Sequence, residues 1–453
     1  VLEVELRGPE LRNLRLLAGV PNLPGGSFDV AGRVAFLGDI VRLQGVEAEV
    51  GELQATASGD VFMAGVDAGD FDLQVSASGP DVLLLGEVAP LQDFAGDPFS
   101  VSGNVRHQGG MFSVTNLEAT LGSLSAELQG YLVKEGQLAD ITIAARAADS
   151  DVLRKLVKLS YLPDGGVLLD GKIEKSETDI KFTATTLSIG EYRLTADGSL
   201  NLTPLENDSD LEFKVSGPSL AEIGRIFGYE KLPDKKYSVL GKFQGTPRGF
   251  AIRNLLAKVG DSDLLGEFSA DLRGKPQVEG ALVSTYLDIT DKTQIPDDDV
   301  QAIEPSPDDS GEFVFSEERL ETSWLQAANV DVDLQVDKLL TNTVRVRDVH
   351  VGVKLLDGAL SIEPIQLRDD FGGIAGEFRL APQNDSYSLQ LKIDVDKIHA
   401  GLSATKDQDR STLPPISGRL ELAGTGNSLR TIMASSNGAI TFRQGTGTVK
   451  EVF

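Results

Sequence analysis

The phrase VAGRV at residues 30–34 returns as VSGNV at 101–105, LDGKI at 169–173 and VLGKF at 239–243. Each is an apolar run that meets a glycine, and the glycines Gly32, Gly103, Gly171 and Gly241 advance by 71, 68 and 70 residues. A second series, Gly51, Gly122, Gly190 and Gly260, moves by the same three steps. Two landmarks that slip together mean one supersecondary unit copied along the chain. Units of this kind stack on their neighbours into elongated arrays. Function is therefore expected on a long surface and not in a closed active site.

Residues 28–98 show the grammar of one copy. From Phe28 to Phe36, apolar residues alternate with polar or small ones: Phe28, Val30, Val34 and Phe36 fall on one face, Asp29, Ala31 and Arg33 on the other. Period two is the mark of a half-buried strand. Further alternating runs follow near 39–50, 52–63 and 69–77, separated by Gly, Asp and Ser turns. Gly79-Pro80-Asp81 then opens a short apolar run, VLLLGEV, where proline and acid together read as a helix start. The other copies place their short helices near Pro9, Ser150 and Pro218. The expected organisation is the end of one repeat over 1–27, repeats over 28–98, 99–166, 167–236 and 237–292, an acidic linker over 293–312 and a C-terminal β region over 313–453. The linker, TQIPDDDVQAIEPSPDDSGE, has seven acids, three prolines and no periodicity. Beyond it strands are predicted at 330–339, 344–355, 360–367, 374–380, 387–395 and 416–423, with a short helix near 397–404. The fold class is mainly β: an elongated, repetitive antiparallel sheet curled into a groove, with one short helix per repeat of about 70 residues. Both ends read as cut within a repeat or sheet, so the sequence is expected to come from a longer protein.

The bulk numbers narrow the function. A chain of 453 residues exceeds one globular core. Its net charge of −27 argues against nucleic acid, which needs cationic surface, and against broad adhesion to anionic membrane. The absence of cysteine removes disulfides, thiol catalysis and Cys-ligated metals, a pattern that fits an oxidising periplasm and other compartments alike. No uninterrupted apolar stretch approaches the 18 or so residues that span a bilayer.

No catalytic constellation emerges. The histidines His107, His350 and His399 share no ligand spacing and read as isolated strand or surface residues. GVLLDGKI at 166–173 imitates a phosphate loop but ends in Ile173 where a hydroxyl is required, and its second glycine is the repeat landmark Gly171. Pairs such as Asp70/Asp72 and Asp331/Asp333 read as the wet face of amphipathic strands, because the residues between them, Phe71 and Val332, are apolar. The acids at 297–299 and 308–309 lack the regular spacing of a Ca²⁺ loop. The expectation is a protein with no enzymatic activity, no cofactor and no metal.

A long sheet with a continuous apolar face must cover it with a second layer or offer it to an apolar ligand. Helices of about two turns per repeat are too small to cover four strands. Candidate ligand-facing residues are Phe28, Val30, Phe36, Phe71, Leu73, Val75, Ile141, Ile143, Leu211, Phe213, Val215, Leu389, Leu391 and Ile393. Periodicity alone leaves trough and ordinary core equally open.

The order of these phrases resembles the AsmA-like family of Gram-negative bacteria over essentially the whole chain. The match is best in FVFSEERLETSWLQAANVDVDLQVDKLLTNTVRVRDVHVGVKLLDGALSIEPIQLRDDFGGIAGEFRL (313–380) and SGRLELAGTGNSLRTIMASSNGAITFRQGTGTV (417–449). The second carries a G-x-G-x-S-L-R phrase at Gly424, Gly426, Ser428, Leu429 and Arg430. The resemblance implies a β-groove like those of TamB, YhdP and the bridge-like lipid transfer proteins of eukaryotes. It implies a periplasmic location, an inner-membrane anchor helix that is not in this sequence, and a phospholipid or other acyl-chain lipid as partner. The expected function is shielding of acyl chains between inner and outer membrane; the alternative is an envelope or outer-membrane assembly factor that acts through protein partners.

Overall fold

Alternating runs become strands, and the glycine phrases fall at fixed points within them. The computed structural model describes residues 1–14, 25–63, 69–85, 89–133, 138–158, 161–203, 208–226, 228–229, 232–290, 315–341, 345–368, 372–398 and 414–446. The expected linker at 293–312, and all but the first two residues of the helix expected at 397–404, lie outside them. Lys397 and Ile398 belong to a strand. The described residues are mainly β and divide between two units, Val1–Ser238 and Val239–Phe453.

The first unit begins with β1 (Leu2–Gly8) and then repeats a four-strand meander. The first copy is β2 (Phe28–Leu37), β3 (Ile40–Val50), β4 (Leu53–Phe62) and β5 (Phe71–Gly79). The second is β6 (Phe99–Gln108), β7 (Met111–Leu121), β8 (Leu124–Val133) and β9 (Leu138–Ala147), and the third is β10 (Val167–Lys175), β11 (Asp179–Ile189), β12 (Tyr192–Asn201) and β13 (Asp210–Gly217). Each strand pairs antiparallel with the next, from β1 through β13.

The landmark glycines have a steric cause. The second strand of each repeat carries one left-handed residue, Gly45, Asn116, Ala184 or Asn254, and the ladder slips there. That extra residue is a β-bulge, which pushes backbone towards the neighbouring strand. The residue opposite must lack a side chain: a Cβ on Gly103 would lie 2.7 Å from both the Asn116 carbonyl oxygen and Leu117 Cα, and one on Gly171 would lie 2.5 Å from Thr185 Cα. The second glycine series supplies the left-handed turn residue between second and third strands.

A third landmark runs at the same steps. Strands end at Gly8, Gly79, Ala147 and Gly217, and Phe28 and Phe99 lay their rings over the first two, while Tyr192 covers Gly217. These rings form one end of the apolar face, and the short helical segments close over that end. They are 3-10 turns at Leu11–Leu14, Val82–Leu85 and Ala89–Phe94, and the helices α1 (Asp151–Val157) and α2 (Leu220–Ile226). Phe28, Val50, Leu53, Phe99, Val167 and Ile189 are buried there with Val82, Phe94, Val152 and Leu162.

The second unit opens with most of β14 (Tyr237–Thr246), then β15 (Gly249–Val259), β16 (Ser262–Asp271) and β17 (Gln277–Ser284), the fourth repeat. Two local departures from the repeat occur here. β17 leads into a two-residue strand, β18 (Leu287–Asp288), where the earlier repeats have a helical segment, and the next helical turn among the described residues is a 3-10 turn at Ser323–Gln326 just before β19. The sheet is also not wholly antiparallel, because β19 (Asn329–Leu340) pairs parallel to β17 and β18. Parallel neighbours cannot be joined by a tight turn, and 40 residues separate the end of β18 from the start of β19. Antiparallel pairing resumes through β20 (Arg345–Leu356), β21 (Ala359–Arg368), β22 (Gly373–Gln383), β23 (Ser386–Ile398), β24 (Ile416–Gly426) and β25 (Asn437–Gln444).

Between β24 and β25 sits α3 (Leu429–Ala434), whose Ser428 N-cap accepts from the Thr431 N–H in a reciprocal capping box. The segment 315–327 crosses to meet it. Leu320 N–H donates to the Asn427 carbonyl, Arg430 N–H to that of Ser316, and the Arg430 guanidinium to that of Phe315. The far end of this strap buries Leu325 completely against Leu355, Leu380 and their neighbours.

Candidate apolar binding face

Directly paired residues on neighbouring strands point to the same side, so the registers define the face. In the first unit one row runs Val75, Gly103, Leu117, Leu128, Ile143, Gly171, Thr185, Ala196, Phe213. A flanking row runs Leu73, Val105, Val114, Gly130, Ile141, Ile173, Phe182, Gly198, Leu211. The bulges matter to this continuity. Each adds a residue that would otherwise flip the alternation, and the ladder absorbs it by slipping one place, which keeps apolar residues on one side.

The opposite side is mostly polar, with apolar residues such as Phe62, Met111, Val133 and Leu168 near its strand ends. It carries Glu47, Thr56 and Ser76 in one row and Asp60, Asp72 and Arg106 in another. Its cations are matched to acids across strands. The Arg42 guanidinium donates to both oxygens of Asp60 at 2.7 and 2.9 Å, which raises the arginine and holds the aspartate below its ordinary range. Lys172 lies 3.0 Å from both Asp140 and Glu174, and those contacts raise its pKa. An open hollow of about 480 Å³ on this side is lined by Glu47, Glu49, Gln54 and Thr56, chemistry unsuited to an acyl chain.

The two faces differ in cover. At one end the apolar rows lie beneath the helical segments, as Phe28 does at 9 % exposure. The interior rows, including Val75, Ile141, Ile143, Leu211 and Phe213, are only partly buried by the protein itself. At the far rim Phe36, Met63 and Phe112 are 65, 63 and 49 % exposed. Full burial of a large apolar side chain is worth about 1.5–3 kcal/mol. The two rows together carry twelve large apolar side chains that are only partly buried, which at half that value each leaves roughly 10–20 kcal/mol of unrealised burial. A soluble surface with that deficit marks a place for apolar matter.

The structure sorts the candidate residues. Phe71, Leu73, Val75, Ile141, Ile143, Leu211, Phe213 and Val215 share the open apolar face of the first unit, and Val30 shares its side but packs against the capped cluster. Phe28 shares its side but is core beneath the caps, because it covers Gly8 and packs in the buried cluster. Phe36 stands at the exposed rim. In the second unit Leu389, Leu391 and Ile393 lie on one apolar side with Leu380, Phe378 and Gly376 opposite them. Leu389 packs beside the strap and is not open.

Sequence reading missed Asp70. Expected on the wet face with Asp72, it is 7 % exposed and accepts from the Gly109 N–H at 3.1 Å. It stands one residue before β5, where the alternation has not yet begun. Its Oδ1 lies 2.9 Å from Nδ1 of His107, which shares the apolar side with Phe71 and Phe112. Among the described residues no group of three His, Cys, Asp or Glu is set to hold a metal, and no helix is long and apolar enough to cross a membrane.

Comparison with known proteins gives a consistent picture. No family model matches the chain, and no solved structure matches it. The AsmA family protein YhjG of Escherichia coli (strain K12) is 24 % identical over 57 % of this chain. The alignment spans 41 % of that relative, so the chain corresponds to under half of its length. With the repeated antiparallel β architecture, this likeness supports assignment of the chain to the AsmA-like family.

Proposed function

We propose that this protein is a non-enzymatic, lipid-binding component of the cell envelope, whose apolar face shields acyl chains in passage between inner and outer membrane. The observation that carries the reading is the row from Val75 to Phe213. It stays apolar or small across nine strands and lies on the side opposite the Arg42–Asp60 and Lys172–Asp140 pairs, on a face that the helical segments cover at one end. Acyl tails would lie on these rows while the headgroup stays in water at the open rim. The relation to an AsmA family protein supports a place in the envelope, and periplasmic location with phospholipid as ligand is the finer form of the proposal.

Site-specific photocrosslinking in living cells tests it. Phe213 and Lys214 are adjacent, but Phe213 pairs with Ala196 on the apolar side and Lys214 with Thr195 on the polar side. A crosslinker at Phe213 should yield phospholipid adducts by mass spectrometry, and one at Lys214 should not. Silence at both in a folded, correctly exported protein would overturn the lipid reading. Protein adducts at Lys214 alone would favour a protein-assembly role.

A further inference from the structure

Among the described residues, the inward-facing strand ends along the open rim of the first unit include two that can carry positive charge, and both stand at one repeat position. The last inward-facing residue of the first strand is Phe36 in repeat one, His107 in repeat two and Lys175 in repeat three, at the landmark steps of 71 and 68. His107 and Lys175 lie in one row with Phe112, Leu132 and Ala139 between them. The repeat itself shows that a phenylalanine fits here. Two of three copies instead carry a group able to hold positive charge, at the edge of the apolar face.

His107 is held in one orientation. Its ring lies 5.7 Å from Phe71, stacked, and 4.5 Å from Phe112. The Nδ1 atom is buried, makes no hydrogen bond among the described residues and lies 2.9 Å from Asp70 Oδ1 as a charge contact, while Asp70 accepts from the Gly109 N–H. The side chain is still 22 % exposed, so the exposed part of the ring is the part away from Nδ1. In the doubly protonated ring one N–H faces the Asp70 carboxylate and the other can donate outward. Such a charged donor suits an anionic oxygen.

We propose that His107, oriented by Asp70 at the open rim, anchors the phosphate of an amphiphile whose acyl chains lie on the neighbouring apolar rows. This rests on the lipid-binding reading and adds to it the residue and the place on the rim at which the headgroup is held. A hydrogen bond from a charged donor changes affinity by roughly tenfold or more when it is lost.

The test uses the full chain incubated with vesicles of phosphatidylglycerol, or with diacylglycerol of the same acyl composition, followed by native mass spectrometry of bound lipid. His107→Phe should lower bound phosphatidylglycerol by about tenfold and leave diacylglycerol unchanged. His107→Gln, which keeps a donor, should lose less. Far-UV circular dichroism and the urea midpoint establish that each variant is folded. Equal loss of both lipids, or loss of neither, would overturn the anchor. If the unaltered protein takes up neither lipid, the lipid reading fails and the anchor with it. If inorganic phosphate alone shifts the His107 ring resonances while phosphatidylglycerol is not preferred over diacylglycerol, the site binds free phosphate and the headgroup assignment is wrong.

Discussion

At the scale of single residues, the repeat is enforced by backbone contact before any side chain packs. Gly103 faces a bulge that leaves 2.7 Å where a Cβ would stand. Gly103→Val must therefore move the backbone of a neighbouring strand, and a loss of about 2–4 kcal/mol is expected. Gly38 offers the contrast: it is left-handed at φ 67 but has nothing within 4 Å of its would-be Cβ. Gly38→Ala should cost only about 1 kcal/mol, the intrinsic penalty of that conformation. Urea unfolding of both variants checks the ranking, and equal losses would remove the steric account. Such glycines were legible because they stand inside strand patterns, where glycine has no other use. The bulge residues were less so. Ala184 adopts φ 47 with none of the usual Gly or Asn signature, and only its place in the repeat gives it away.

Elements bring in two devices that hold the second unit together. The β17–β18 corner is built on Asp263, which accepts from the N–H groups of Tyr286 at 3.0 Å and Thr285 at 2.8 Å and from the Ser284 hydroxyl at 3.1 Å. The Tyr286 bond leads in holding its carboxyl below the ordinary range, against a desolvation cost. A lowered native pKa means stability that is full above the unfolded value of about 3.9 and lost as pH falls through the native one. The urea midpoint of the second unit should thus fall below pH about 4, and Asp263→Asn should flatten that part of the slope. The clasp of α3 and the strap is the other device. Gly424 and Gly426 let the helix approach, since a Cβ on Gly424 would sit 2.4 Å from the Ile432 carbonyl oxygen, and Ser428 caps it. Ser428→Ala should cost about 1 kcal/mol and raise amide exchange along 315–326, where the strap bonds to Asn427 and Arg430. Unchanged exchange there would mean that the helix and strap are not coupled. The family phrase was visible in sequence, but its job was not. Nor was the parallel return of β19 legible, because strand direction after a long aperiodic segment is set by where the chain re-enters, and period two carries no direction.

At the scale of the whole molecule, the proposed lipid reading divides into two cases, an apolar face that holds lipid in place and one that passes it along. Alternation made the face legible from sequence, and the registers add its continuity. Which rim is capped was not readable, because the caps cover rows by three-dimensional placement that no spacing encodes. Ile143 sits midway along one row, about 19 Å by strand spacing from Val75 on one side and from Phe213 on the other. A carboxylate at 143 places an unpaired charge where an acyl chain would lie, at a cost of several kcal/mol, and a half-exposed position tolerates it. If lipid moves along the row, Ile143→Asp should abolish crosslinked adducts at Val75 or at Phe213, whichever lies downstream, and spare the other. The surviving site then names the side from which lipid enters. Thr142→Asp, on the polar face opposite Gln129 and Lys172, should leave both adducts intact. Adducts that persist at both sites in Ile143→Asp would rule out passage along this row, since a path in series cannot bypass a block at its centre.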